Sequence, residues 1–116
     1  MIFLAESDQN LRLGIQMLLH QEAGMHVIGM AIQAEGLLVQ LEASRAEVLI
    51  LDWQLPGASM PELLSEIGRM VSPPKIIVLS INPELKMPAL SSGADAFISK
   101  NSPPDELLST RAKVFR

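Results

Sequence analysis

A chain of 116 residues with 48% hydrophobic and 19% charged side chains is sized for one compact domain, here taken as residues 1–116, with a substantial core. The lack of cysteine excludes disulfides, thiolate metal sites and cysteine nucleophiles, and two histidines are too few for most zinc enzymes, so any bound metal should be a hard cation held by oxygen. A net charge of −4 without a Lys/Arg block argues against direct nucleic-acid binding, and no apolar run approaches the roughly 18 residues that span a bilayer, so a cytoplasmic protein is expected.

Ile2-Phe3-Leu4-Ala5 is a continuous apolar run that halts at Glu6-Ser7-Asp8, as expected of a strand covered on both faces. Leu11, Ile15, Leu18 and Leu19 then recur at helical spacing, with Ser7 or Asp8 as N-cap and Gly24 placed to receive the C-terminus. The second strand is read over His26 to Ala31, and Ala34, Leu37, Leu38 and Leu41 line one face of the second helix. Val48-Leu49-Ile50-Leu51 is the third strand; it delivers Asp52, and Leu55-Pro56-Gly57 turns the chain away. Ser59-Met60-Pro61-Glu62 supplies a capping box for a helix whose buried stripe is Met60, Leu63, Leu64 and Ile67.

Lys75 to Ser80 is the fourth strand, a β-branched run ending in a hydroxyl. Pro88 would clash within a long following helix, so a short one starting near Met87 is expected. Gly93-Ala94-Asp95 turns into the fifth strand, Ala96 to Ser99, which delivers Lys100. Ser102-Pro103-Pro104-Asp105 opens the last helix, with Leu108, Ala112 and Phe115 toward the sheet. Strands alternating with helices across short links predict an α/β fold, a parallel sheet with right-handed crossovers and helices on both faces.

In such a sheet Glu6, Asp52, Ser80 and Lys100 converge at the carboxyl edge, where ligands collect. Taken singly, each residue has a plain structural reading: the acids cap loops, Ser80 bonds its own backbone and Lys100 is a solvated charge. Together, carboxylate, hydroxyl and ammonium around a divalent cation suit phosphoryl chemistry.

The segments Leu51-Asp52-Trp53-Gln54-Leu55-Pro56-Gly57, Val78-Leu79-Ser80 and Gly93-Ala94-Asp95-Ala96-Phe97-Ile98-Ser99-Lys100 make the chain resemble the receiver domains of bacterial two-component response regulators. The resemblance implies a flavodoxin-like, doubly wound (βα)5 fold with strand order 2-1-3-4-5. It implies a regulatory phosphoacceptor rather than an enzyme: Asp52 takes a phosphoryl group from a sensor histidine kinase, Lys100 contacts that group, Ser80 is the switch hydroxyl and Phe97 the switch aromatic. It also implies Mg²⁺ held by Glu6, Asp52 and the backbone carbonyl of Gln54. Val27-Ile28-Gly29-Met30-Ala31 is similar to the second strand of regulators with a LuxR-type helix-turn-helix output domain, so the chain is either excised from such a transcription regulator or a stand-alone receiver that meets an effector protein, with a homodimer left open.

Two departures stand out. Receivers usually carry two adjacent acids after the first strand, and here the pair is Glu6-Ser7; Ser7 is a poor metal ligand, so Mg²⁺ binding is expected to be weak unless Asp8 reaches in or a water mediates, and Asp8 is also the natural helix N-cap. Ile81 follows Ser80 where a small residue is common. An alternative is therefore a receiver-like interaction module with little or no Mg²⁺-dependent phosphorylation. A flavodoxin-like enzyme or nucleotide binder is disfavoured, because no Gly-rich phosphate loop follows the first strand.

Overall fold

The computed structural model describes residues 1–114. In chain order it contains β1 (Ile2–Ala5), α1 (Gln9–His20), β2 (Val27–Ala31), α2 (Leu37–Ser44), β3 (Val48–Asp52), α3 (Met60–Gly68), β4 (Lys75–Ser80), a 3-10 turn (Pro83–Leu85), α4 (Lys86–Ser91), β5 (Ala96–Ser99) and α5 (Pro104–Val114). The strands form one 5-stranded sheet in the order β2-β1-β3-β4-β5, every pairing parallel. This is the flavodoxin-like order expected above, with strand order reversing beside β1 and β3.

Alternation along each strand divides the core in two. Val48 and Ile50 of β3 pack with Ile2 and Leu4 of β1, Ile77 and Leu79 of β4 and Ile98 of β5 beneath α1 and α5, through Ile15, Leu19 and Leu107. Leu49 and Leu51 point the other way, joining Phe3, Ile76 and Val78 beneath α2, α3 and α4, through Leu37, Leu41, Leu64, Ile67 and Ala89. Burial of each such aliphatic side chain contributes roughly 1.5–3 kcal/mol, which is why a strand buried on both faces reads as an unbroken apolar run. Continuing the same parity past the strand ends places Glu6, Asp52 and Lys100 on the α1/α5 side. Ser80 and Phe97 share parity with Val78 and fall on the α4 side; the Phe97 ring packs against that second cluster.

Several local expectations change. The second strand begins at Val27 rather than His26, and Gly29 leaves room for the Phe3 ring, whose nearest carbon would lie 2.5 Å from an added Cβ. Gly24 has φ +81 in the turn after α1, but the helix itself closes at Gln21, where the Gln21 N–H bonds the Leu18 carbonyl and the Glu22 N–H the Leu19 carbonyl. Ala34 precedes α2 because Gly36, at φ +77, starts that helix; the Ala34 N–H instead bonds the Pro56 carbonyl at 2.8 Å and ties two loops beside the sheet edge.

Ser59 is the N-cap of α3 without a side-chain hydrogen bond, so the capping box does not form. The Pro88 problem is solved by winding the preceding residues as a 3-10 turn, capped by the Asn82 side chain on the Glu84 N–H, so that α4 starts at Lys86 and Pro88 sits in its first turn, where no N–H is needed. In α5 Leu107 is buried, with Leu108 partly buried and Ala112 exposed. Phe115 lies outside the described residues. No described helix is long and apolar enough to cross a membrane.

Candidate functional site

β1 and β3 are neighbours with Ala5 opposite Leu51, so the next residues, Glu6 and Asp52, end side by side. Their relative exposures are 0% and 1%, a costly place for two acids unless a cation joins them. Lys100 supplies it. The β4/β5 register sets Ser80 opposite Ser99, the Lys100 N–H bonds the Ser80 carbonyl at 2.8 Å, and the side chain then crosses to the two acids. Lys100 Nζ lies 3.1 Å from Asp52 Oδ1, 3.1 Å from Glu6 Oε1 and 3.2 Å from Glu6 Oε2.

The loops complete the enclosure. The Gln54 N–H donates to Asp52 Oδ1 at 2.9 Å, folding the turn after β3 back onto its own carboxylate, while the Asp8 N–H donates to Glu6 Oε2 at 3.0 Å. The Ser7 hydroxyl donates to Asp52 Oδ2 at 3.0 Å. Asp8 does not join them: its Oδ1 accepts from the Leu11 N–H at 3.1 Å as the N-cap of α1, and its side chain is exposed. Arg12, which drew no functional reading above, donates from Nη1 to the Glu6 carbonyl oxygen at 2.9 Å and pins the loop between β1 and α1. A cation one turn into a helix that starts beside an acidic strand end is the signal that could have found it.

Burial alone would push Asp52 up, but the Gln54 N–H and the Lys100 ammonium outweigh it and hold its carboxyl below the ordinary value. Burial raises Glu6, and the Asp52 charge adds to this while the Asp8 N–H only partly offsets it. Burial would lower Lys100, yet its bonds and attraction to Asp52 and Glu6 prevail and raise it. Asp52 is thus the more readily ionised acid of the pair, and Glu6 the one disfavoured as an anion. An acid whose folded pKa is raised loses stability as pH climbs from its unfolded to its folded value, and the loss persists above. Glu6→Gln should therefore stabilise the fold near neutrality by about 1 kcal/mol and do nothing below about pH 4, as denaturant melts at the two pH values would show.

Ser80 is 1% exposed, and its Oγ accepts from the Asn82 N–H at 3.1 Å, so it holds the loop after β4 and stands on the far side of the sheet from Lys100. Phe97 is partly buried beside it on β5, opposite Val78. Ile81 is 58% exposed and turns outward from the core.

The donors around Asp52 are oxygens, which suits a hard divalent cation, and Glu6 Oε1 is buried without a hydrogen bond, facing only the Lys100 ion pair. The set fits such a cation in kind but is thin in charge. Among the described residues no group of three or more His, Cys, Asp or Glu side chains could hold a metal.

A doubly wound parallel sheet that gathers an ionised aspartate, a second acid and a lysine at its carboxyl edge defines a phosphoacceptor module. The chain belongs to the response regulator receiver domain family, whose model matches residues 2–111. Receiver domains are regulatory phosphoacceptors of two-component systems and generally bind Mg²⁺ at the acidic pocket. The chain is similar to the response regulator UvrY of Escherichia coli, 28% identical over 116 residues, covering 98% of this chain and 53% of UvrY. It is 30% identical over 118 residues to the oxygen regulatory protein NreC of Staphylococcus epidermidis, covering 99% of this chain and 54% of NreC. It thus spans about half the length of the curated relatives it matches. Among solved structures, a LuxR-family DNA-binding response regulator from Staphylococcus aureus superposes with a TM-score of 0.88 at 24% identity, covering 99% of this chain and 98% of that one. The RcsB response regulator of Salmonella typhimurium gives 0.88 at 25% identity, covering 98% of this chain and 60% of that one.

Proposed function

We propose that Asp52 is the phosphoacceptor of a two-component signalling receiver and that a sensor histidine kinase is the donor. The observation that carries this reading is the ionised, buried Asp52 held on Oδ1 by Lys100 and the Gln54 N–H at the mouth of the sheet edge. An Asp52 carboxylate oxygen attacks phosphorus, the bond from phosphorus to the donor imidazole nitrogen breaks, and its electron pair leaves with the imidazole. Lys100, already between the two acids, offsets charge on the phosphoryl oxygens. Glu6, Asp52 and the Gln54 carbonyl would hold Mg²⁺, which when bound supplies further neutralisation of those oxygens.

Lys100 and Ser80 are tied through the β4/β5 backbone, so movement of the Ser80 hydroxyl toward a phosphoryl oxygen would release the Asn82 N–H and draw Phe97 inward, biasing the α4 side. The similarity to LuxR-family regulators supports a helix-turn-helix output domain as the element that reads this change. Incubation with acetyl phosphate and Mg²⁺ should add one phosphoryl group by intact mass, located to Asp52 by peptide mapping. Modification at any other residue, or none, would sink the assignment.

A further inference from the structure

Ser7 stands where the family usually places a second metal-binding acid, and its hydroxyl is directed at Asp52 itself. Among the described residues the hydrogen bonds on Asp52 divide cleanly: Oδ1 takes the Gln54 N–H and Lys100, while Oδ2 takes only Ser7. Oδ2 is thus held by a neutral donor of this chain. Asp8 cannot compensate, being engaged as the α1 N-cap, and Glu6 is shared with Lys100.

We infer that Ser7 is a positioning residue that orients Asp52 for phosphoryl acceptance without a divalent cation, so that this receiver is phosphorylated largely independently of Mg²⁺. This rests on Asp52 being the acceptor and deepens that reading. One hydrogen bond to Oδ2 restricts rotation of the carboxylate and leaves that oxygen a free lone pair for attack, while both lone pairs of Oδ1 are taken by the Gln54 N–H and Lys100. Lys100 supplies the positive charge that phosphoryl oxygens need, from a fixed place in the sheet edge. A cation entering the cleft would meet an Oδ2 already accepting from Ser7 and an Oδ1 already taken by Lys100 and Gln54, and would gain only two carboxylates, a poor exchange for a metal that gives up its water reluctantly.

The test uses the full chain and its Ser7→Ala, Ser7→Thr and Ser7→Asp variants. Each is treated with acetyl phosphate in chelator or in excess Mg²⁺; an Asp52 oxygen attacks phosphorus and the acyl oxygen leaves with its electron pair as acetate. Wild-type rates with and without Mg²⁺ should agree within about threefold, whereas Ser7→Asp, with three adjacent acids and no neutral donor, should need Mg²⁺ by about tenfold or more. Ser7→Ala should slow by about tenfold in chelator and Ser7→Thr should restore the rate, since the hydroxyl and not the size of the side chain matters.

Independently of turnover, Mg²⁺ titrated against Trp53 fluorescence and by calorimetry should bind Ser7→Asp at least about tenfold more tightly than wild type. A wild type that loses phosphorylation in chelator, or that binds Mg²⁺ as tightly as Ser7→Asp, would overturn the Ser7 proposal while leaving Asp52 as acceptor. If no variant is modified under either condition, the acceptor reading itself fails, and the Ser7 proposal with it.

Discussion

Asp52→Asn is expected to abolish phosphoryl acceptance entirely while leaving the fold standing, because the amide keeps the shape of the carboxylate but has no anionic oxygen to attack phosphorus. The Asn side-chain oxygen still accepts from the Gln54 N–H, and Lys100 keeps Glu6 as its partner. Losing one of two adjacent buried acids removes their mutual repulsion together with one ion pair, so stability should change by no more than about 1 kcal/mol in either direction. Intact mass after acetyl phosphate treatment reads the first effect and a urea melt the second. Residual modification of this variant would mean that another residue is the acceptor.

Lys100→Ala should have the larger structural effect. It leaves Glu6 and Asp52, 0% and 1% exposed, without their cation, and breaking a buried pair in this way costs about 3–5 kcal/mol. The sign of its pH dependence follows from the same geometry. Without the ammonium, burial and mutual repulsion push both carboxyls upward, so the folded state binds protons more tightly than the unfolded one. Stability relative to wild type is then lost as pH rises through the carboxylate range; the gap should narrow toward about pH 4 and close only as pH falls through the depressed Asp52 value of the wild type. Adding Glu6→Gln should recover much of the deficit at neutral pH, a coupling that a double-mutant cycle would measure. A Lys100→Ala protein as stable as wild type at neutrality would show that solvent reaches the acids freely.

The strands were legible because each is built on a branched apolar run that stops at a polar residue; β1, β4 and β5 have the bounds expected, and β3 runs one residue further, to Asp52. Helix starts were less legible, since they depend on backbone choices that composition does not reveal. Gly36 in the left-handed region delays α2, and the 3-10 turn before Lys86 lets α4 absorb Pro88. At the site, parity along the strands already separates Glu6, Asp52 and Lys100 from Ser80 and Phe97, once the helices on each face are known. The choice between Ser7 and Asp8 was open in the sequence, because one short loop offered two polar side chains for two posts. Only packing decides it: the Leu11 N–H takes Asp8, and Asp52 takes Ser7.

The cluster of two acids and one ammonium also has something to say about time. At rest its charges nearly balance, with one negative charge in excess on Glu6, Asp52 and Lys100 together. An acyl phosphate carries roughly one and a half to two negative charges where the carboxylate carried one, so the modified pocket is more crowded with like charge than the resting one. With a single fixed ammonium to share among Glu6 and the phosphoryl oxygens, that crowding favours release of phosphate to water. With Asp52 as the proposed acceptor, the domain would be a signal store that drains, and its memory of a stimulus would be set by how well Lys100 holds the added charge.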